Sequence, residues 1–377
     1  MTAGVRKMVQ RPLIGILDHP RWDVRRETLR ESDQMAGIRR MVEIAQSLGA
    51  EAFVFGLGDV DLQARRIRGF SRANGQWVER VYPFPDVIYD QLVSRKIERN
   101  EAYRSIRQAL SSAYRDRFFN DGFFDKWQIY EWLRRSPVRS HVPETIRHRS
   151  LAQAAAFVAR HHVTFLKPLH GSLGLGIVRF ALEKDGSVSY EWKRSRDGVV
   201  RGTAASPAEA VQLFRTQLRR RPYIWQQGID LVALDGRPVD VRILLQRDGT
   251  GAWKRTKMFA RVAKSGDFTS NLATGGGAMP VDRAILGAFP DEAKKRVRAS
   301  IRRIAEAVAE AVEAGAGRTF GELGIDLGVD RRGFVWVIEV NSKPRKAPAS
   351  ASGRDDLVEL SFRRPMEYAL FLARRPS

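Results

Sequence analysis

Val163 to Arg179 read VTFLKPLHGSLGLGIVR. The segment opens as an apolar, β-branched run that closes on Lys167, crosses Gly171, Gly174 and Gly176 within six residues, and resumes as an apolar run from Ile177 to Leu182. Three glycines so close together let bare backbone N–H groups approach an anion, and Lys167 sets a fixed positive charge at the loop entrance. In a Walker loop or a dinucleotide fingerprint such glycines open a helix. Here IVRFAL is short, β-branched and followed by the turn pair Asp185-Gly186, so it reads as a strand. The stretch is therefore read as a hairpin flap over the phosphates of a nucleotide. The plainer alternative is a Gly-rich hairpin with a surface lysine.

A chain of 377 residues, 43% hydrophobic and 29% charged, has room for two or three domains and the composition of a globular protein. No apolar run approaches the ~20 residues of a bilayer span. The first apolar run, Leu13 to Leu17, is broken by Asp18 and reads as a strand rather than a signal sequence. There is no cysteine, hence no disulfide framework and no thiolate metal site, and a cytoplasmic protein is expected. The net charge of +22 would suit an anionic partner. Its cations are spread along the chain, with short clusters such as Arg219-Arg220-Arg221 and no nucleic-acid motif. A solvated basic surface that also attracts a polyanionic nucleotide is the simpler reading, and nucleic acid is disfavoured as a partner.

Leu13 to Leu17, a helix capped at Ser32-Asp33 and stopped by Gly49, and Ala52 to Phe55 give the β–α–β order of a parallel α/β layer. VIYD ends at Asp90, with Arg95 just beyond. Ends of strands in open α/β sheets are where ligands bind, so both are candidates for the acceptor substrate, structural ion pairing being the blander account. Glu98 to Ala113 has a helical pattern, and Asp125 caps another helix beginning at Lys126. After the flap, a helix from Ser206 to about Arg220 leads to YIWQQGIDL, Tyr223 to Leu231, whose backbone and glutamines could line an adenine edge.

Asp248-Gly249-Thr250-Gly251 joins two strands, Val239 to Gln246 and Ala252 to Val262, as a hairpin. By alternation Asp240 and Arg242 share one face, and Arg255, Lys257 and Arg261 share one. Asn271 opens a second glycine-rich, donor-bearing loop through Gly277. A long helix is expected from about Pro290 to Ala314, stopped by Gly315. Gly321 to Pro344 then reads as two strands that set Asp326 beside Glu339 and Asn341. Two carboxylates and an amide oxygen are hard ligands suited to magnesium held with phosphates, and carboxylates within strands such as VWVIEV are costly unless paired or metal-bound.

The order Lys126, Lys167 with its glycine flap, Gln226-Gln227, Asp240-x-Arg242, Arg261, Asn271, Asp326 and Glu339-x-Asn341 resembles the ATP-grasp superfamily over residues 115 to 345. VYPFPDVIYD, YIWQQGIDL, VDVRILLQ and VIEVNSKP look like its endospore-coat-associated, YheC/YheD-like group. More distantly the chain is similar to glutathione synthetase and the ribosomal-protein glutamate ligases. The resemblance implies an α/β fold: an N-terminal parallel α/β domain (1–115), two grasp subdomains (116–222 with the flap, 223–345 with the metal site) and a C-terminal tail (346–377) that either packs back or mediates association.

It implies ATP and Mg2+, or Mn2+ in its place, as cofactors. Lys126, Lys167 and the flap residues Gly171, Ser172, Gly174 and Gly176 would hold phosphates. Gln226, Gln227 and Ile229 would meet adenine, although many relatives carry an acidic residue at this hinge. Asp240 would meet ribose, Arg242, Arg261 and Asn271 would serve catalysis, and Asp326, Glu339 and Asn341 would carry the metal. The implied reaction activates a carboxylate as an acyl phosphate and passes it to an amine. The two substrates are left open, from amino acids to an acidic peptide or a spore-coat protein, as is the oligomeric state. A nucleotide-binding assembly factor of the spore coat without turnover is the alternative.

Overall fold

The computed structural model describes residues 11–171, 174–196, 198–270, 275–346 and 354–375. Ser172 and Asn271 lie outside the described residues. Three sheets organise the chain. The first is built on β1 (Leu13–Leu17), α1 (Asp33–Ser47), β2 (Glu51–Phe55), the hairpin β3 (Arg66–Ala73) and β4 (Gln76–Pro83), and β5 (Val87–Asp90), followed by α2 (Glu101–Tyr114) and the short β6 (Phe118–Phe119). β1 pairs in parallel with β2 on one side and with β5 on the other, and β5 with β6. Chain direction reverses its march across the sheet between β1 and β5, so Asp18 and Asp90, at their carboxyl ends, sit at a topological switch point. The helix expected from Glu98 is interrupted at Arg99-Asn100, because Asn100 turns its side chain onto the Ala102 N–H and caps α2 there.

The second sheet is six-stranded and antiparallel. It runs β7 (Thr145–Arg147), β12 (Tyr223–Gln227), β8 (Val163–Pro168), β9 (Val178–Leu182), β10 (Val188–Lys193) and β11 (Val199–Ala204) in space. β8 and β9 pair antiparallel from Val163↔Ala181 to Leu166↔Val178, so the glycine stretch is a hairpin loop as read. Helices α4 (Leu151–Arg160), α5 (Pro207–Leu213) and α6 (Arg215–Arg220) cover its outer face through Phe157, Leu166, Phe180 and Trp225. The single helix expected over 206–220 breaks at Phe214, whose ring packs edge-on against Phe180, Tyr190 and Trp192.

The third sheet runs β15 (Gly277–Met279), β14 (Trp253–Val262), β13 (Arg237–Arg247), β16 (Glu322–Val329) and β17 (Val335–Asn341). Its core face is covered by α3 (Lys126–Leu133) and α7 (Asp291–Ala316), the latter burying Val297, Ile301, Ile304, Ala305, Val308 and Val312 at helical spacing. α7 runs past Gly315, where a side chain would place Cβ 2.3 Å from Trp132, and ends at Gly317, which takes the left-handed conformation (φ 59°). Gly315 serves the close approach of α3 and α7 rather than a helix stop.

The C-terminal segment packs back as α8 (Asp355–Arg374), which inserts Val358, Phe362, Met366 and Ala369 against α1 and the first sheet. Pro365 inside it has no N–H for the Ser361 carbonyl, and that carbonyl instead accepts from Gln246 Nε2 at 2.7 Å. α8 thereby ties the first sheet to the third. Among the described residues no helix is long and apolar enough to cross a membrane.

Candidate functional site

One cleft is lined from all three regions, by Arg95 and Phe123, by Lys126, by Lys167, Gly171 and Gln226, and by Glu339 and Asn341. On β8 Lys167 lines this cleft while the adjacent Leu166 joins the helix-covered core. Lys167 Nζ donates to Gln226 Oε1 at 2.5 Å, and Gln226 Nε2 donates to Thr145 Oγ1 at 3.0 Å, so the amide is held at both ends and Lys167 is aimed. Burial pushes the Lys167 ammonium down to about 8; the Glu339 charge resists the fall, Lys126 adds to it and Asp326 resists again.

Lys126 is the first residue of α3, which Asp125 and Gln128 start with a capping box. Its N–H donates to the Leu169 carbonyl at 3.3 Å, fastening the helix to the root of the flap, and its Nζ donates to Glu339 Oε1 at 2.8 Å.

The charged wall opposite comes from strand register. Arg242 lies across from Asp326 in the β13–β16 pair, and Asp326 across from Glu339 in the β16–β17 pair, so the three form a row over adjacent strands. Asn341 lies across from Gly324, where a Cβ would stand 2.9 Å from Pro344. Asp326, 3% exposed, accepts from Arg242 and, at 2.8 Å, from Arg261. Arg261 in turn grips Asp240 through Nε at 2.7 Å and Nη2 at 2.6 Å, and Ser270 donates to the same carboxylate. Burial raises the Glu339 carboxyl, but the Lys126 charge and hydrogen bond, with Lys167 and Arg242 behind them, overcome it and hold the group at about 2. Glu339 is therefore an anion at any physiological pH.

Asp326, Glu339 and Asn341 present two carboxylates and an amide oxygen at neighbouring positions of one sheet, a donor set that fits magnesium. Among the described residues no group of three or more histidine and carboxylate side chains is placed to hold a metal, so here the third protein ligand would be the Asn341 amide oxygen. Lys126, Arg242 and Arg261 meanwhile supply the positive charge those carboxylates require.

The structure brings Lys126, Lys167, Gly171, Gln226, Glu339 and Asn341 to the cleft, while Arg242, Arg261, Asp240 and Asp326 are ion-paired among themselves and adjoin the cleft through the Asp326↔Glu339 register. Gly174 and Gly176 both take positive φ (72° and 76°), which the flap turn requires. At the hinge, the Gln227 N–H donates to Glu144 and the Gly228 N–H to Val163, both at 2.8 Å, which leaves the Ile229 N–H as the backbone donor of that group without an acceptor among the described residues.

Two expectations change. Gln226 holds Lys167 rather than offering its amide outward, and the Asp240 carboxylate is engaged by Arg261 and Ser270. A third is overturned: a bulge in the β13–β14 register at Leu244/Leu245 sends Arg255 toward Met258 on the α7 face, whereas Lys257 and Arg261 stay on the opposite one. Thr145, which holds Gln226, and His170, at the flap root, were not anticipated. Neither carries a local signal, since Thr145 is a lone residue of a three-residue strand.

Comparison with known proteins agrees with this fold. The chain is 24% identical over 349 residues to the endospore coat-associated protein YheD of Bacillus subtilis (strain 168), covering 91% of this chain and 75% of the relative. It is 23% identical over 292 residues to YheC of the same organism, covering 76% and 78%. Among solved structures the fold is similar to D-alanyl-alanine synthetase A from Vibrio cholerae (TM-score 0.54, 11% identity, 96% of this chain and 97% of that one). It is similar also to D-cycloserine synthetase DcsG (TM-score 0.53, 14% identity, 96% and 99%). Residues 115–372 match the YheC/D like ATP-grasp family, to which this chain belongs.

Proposed function

We propose that this chain is an ATP- and magnesium-dependent carboxylate–amine ligase. The observation that carries the reading is the convergence of Lys126, Lys167, Glu339 and Asn341, from three parts of the chain, on one cleft under a glycine hairpin. Lys126 and Lys167 hold the ATP phosphates, with the flap, Ser172 included, folding over them. The hinge meets adenine through Ile229, with Gln227 beside it. Asp326, Glu339 and Asn341 would hold magnesium, which would supply positive charge against the phosphates.

In the reaction a substrate carboxylate oxygen attacks the γ-phosphorus, the bond to the β–γ bridging oxygen breaks, and ADP leaves. An amine then attacks the acyl carbon, phosphate departs with its oxygen and the amine loses a proton. No protein nucleophile is needed. Arg242 and Arg261, freed in part from Asp326, offset charge developing on the phosphoryl oxygens, and the 271–277 loop with Asn271 adds donors at the same place. Flap closure keeps water from the acyl phosphate.

The relatives' names support a second reading, a nucleotide-dependent assembly factor of the spore coat. ADP release from ATP and magnesium, measured over a pool of amino acids and acidic peptides, separates the two. Stimulation by particular members that is lost in Glu339→Ala supports the ligase. Magnesium-dependent nucleotide binding with no stimulation favours the assembly factor, and absence of nucleotide binding removes both.

A further inference from the structure

The cleft continues past Lys126 into a recess whose charges the phosphate chemistry does not use. Arg95 follows the carboxyl end of β5, beside the switch point of the first sheet, in a one-turn helix capped by Ser94. Its guanidinium lies over the Phe123 ring at 4.3 Å and donates to the Phe124 carbonyl at 3.0 Å. Lys343, which lies over the same ring at 4.8 Å, is spent on Asp90 and the Leu92 carbonyl, and Lys126 on Glu339. Arg95 makes no ion pair among the described residues, although it is partly buried and lines the cleft. Burial lowers its pKa; Glu98 opposes the fall, Arg99 adds to it, and Glu339 and Asp125 oppose it.

At the root of the flap, burial lowers the pKa of His170; Arg99 adds to the fall, Asp125 opposes it and Arg95 and Lys126 add to it, and the His170 Nδ1 is buried with no partner among the described residues. A guanidinium that lines a ligand cleft with no carboxylate paired to it calls for an anion.

We propose that Arg95 binds a carboxylate of the substrate, so that the substrate is an acidic amino acid or a peptide with a free carboxylate. The proposal rests on the ligase reading. The stacked, planar guanidinium keeps its outward N–H groups for a bidentate acceptor, while Phe123 fixes its plane. Arg95 is a binding residue contributed by the N-terminal domain, and the ATP phosphates remain with Lys126 and Lys167.

The test uses the full chain and a probe pool of glutamate, aspartate and glutamate-terminated peptides, each beside its carboxamide counterpart. ADP release is read with wild type, Arg95→Gln and Arg95→Lys, and binding is read by the melting temperature of each protein with magnesium and a non-hydrolysable ATP analogue. Free-carboxylate members are expected to stimulate turnover or raise the melting temperature of wild type where their carboxamides do not. Arg95→Gln is expected to raise KM for them roughly 10- to 100-fold at little change in kcat, with Arg95→Lys in between and affinity for the analogue unchanged. Equal response to carboxamides, no response to any free-carboxylate member, or loss of analogue binding in a folded Arg95→Gln would each overturn the subsite. If wild type itself fails to bind the analogue, the ligase reading falls as well.

Discussion

Two networks of ion pairs share β16 and differ in who can reach them. Glu322, at its start, is fully buried and accepts from Tyr89, Gln91, Gln246 and Lys346, while its neighbour in the same seam, Asp90, is fully buried between Arg107 and Lys343. Asp326, four residues along the same strand, belongs instead to the row that ends at Glu339, which is 36% exposed in the cleft and holds one lysine. In the seam nearly every lone pair of the two carboxylates has a donor, and both groups are sealed from solvent. In the cleft Glu339 holds a single lysine and stays accessible, which leaves its carboxylate open to the ligands of the proposed reaction. Ion pairs made of the same groups are structural when closed and functional when open.

The contrast can be broken most directly at Asp90. Asp90→Asn leaves Arg107 and Lys343 buried with less than their countercharge and is expected to cost about 3–5 kcal/mol of stability, read from urea unfolding. The folded fraction should keep its nucleotide affinity. A loss of nucleotide binding without a loss of stability would mean that the two networks are one.

Glu339→Gln is the converse experiment. Turnover should drop by roughly 100- to 1000-fold while the melting temperature moves little, because Lys126 can turn to solvent. Magnesium-dependent turnover at the wild-type rate in this variant would remove Glu339 from the metal set.

A smaller effect is expected at Gln226. Gln226→Leu takes the acceptor from Lys167 and should raise KM for ATP about tenfold. Because burial holds Lys167 at about 8, ATP affinity of the wild type should fall as pH rises through 8, when the ammonium loses its proton. An affinity that stays flat from pH 7 to 9.5 would show that Lys167 does not carry the phosphate contact.

The smallest effect lies at the switch point. Burial raises the Asp18 carboxyl to about 7; the His19 N–H and Lys343 oppose the rise, Asp90 adds to it and Gln34 opposes it. The folded chain therefore binds this proton more tightly than the unfolded one. The resulting stability is fully present below the ordinary carboxylate pKa of about 4 and is lost as pH climbs through 7. Asp18→Asn should flatten that slope in melting curves taken from pH 5 to 8, and an unchanged slope would place the titration elsewhere.

Several features of the site were visible as local pattern. The hairpin nature of 163–182 followed from IVRFAL being too short and too branched for a helix, and Glu339 and Asn341 were aligned by the two-residue strand period. That period failed at Arg255, where a bulge inserts a residue that no propensity marks. It also could not show that Gln226 would spend its amide on Lys167 and Thr145, since these come together only when β7, β12 and β8 pair. Gly315 was misread for the opposite reason: a glycine late in a helical run signals a stop, and only the position of Trp132 reveals a close approach. Across 355–374 Pro365 reads as a breaker, and only the tertiary contact of Gln246 with the carbonyl it frees lets one helix run through.

By itself the sequence determined the chemistry on offer: a glycine loop with lysines, hard oxygen ligands two apart on a strand, and an excess of arginine without cysteine. These are properties of residue type and short spacing, fixed by covalent geometry and strand period. Tertiary structure alone decided which charges are neutralised. Whether Arg95, Lys343 or Lys126 is left for a ligand depends on carboxylates brought from as far as 253 residues away, and electrostatic pairing depends on distance in space, which local sequence does not encode.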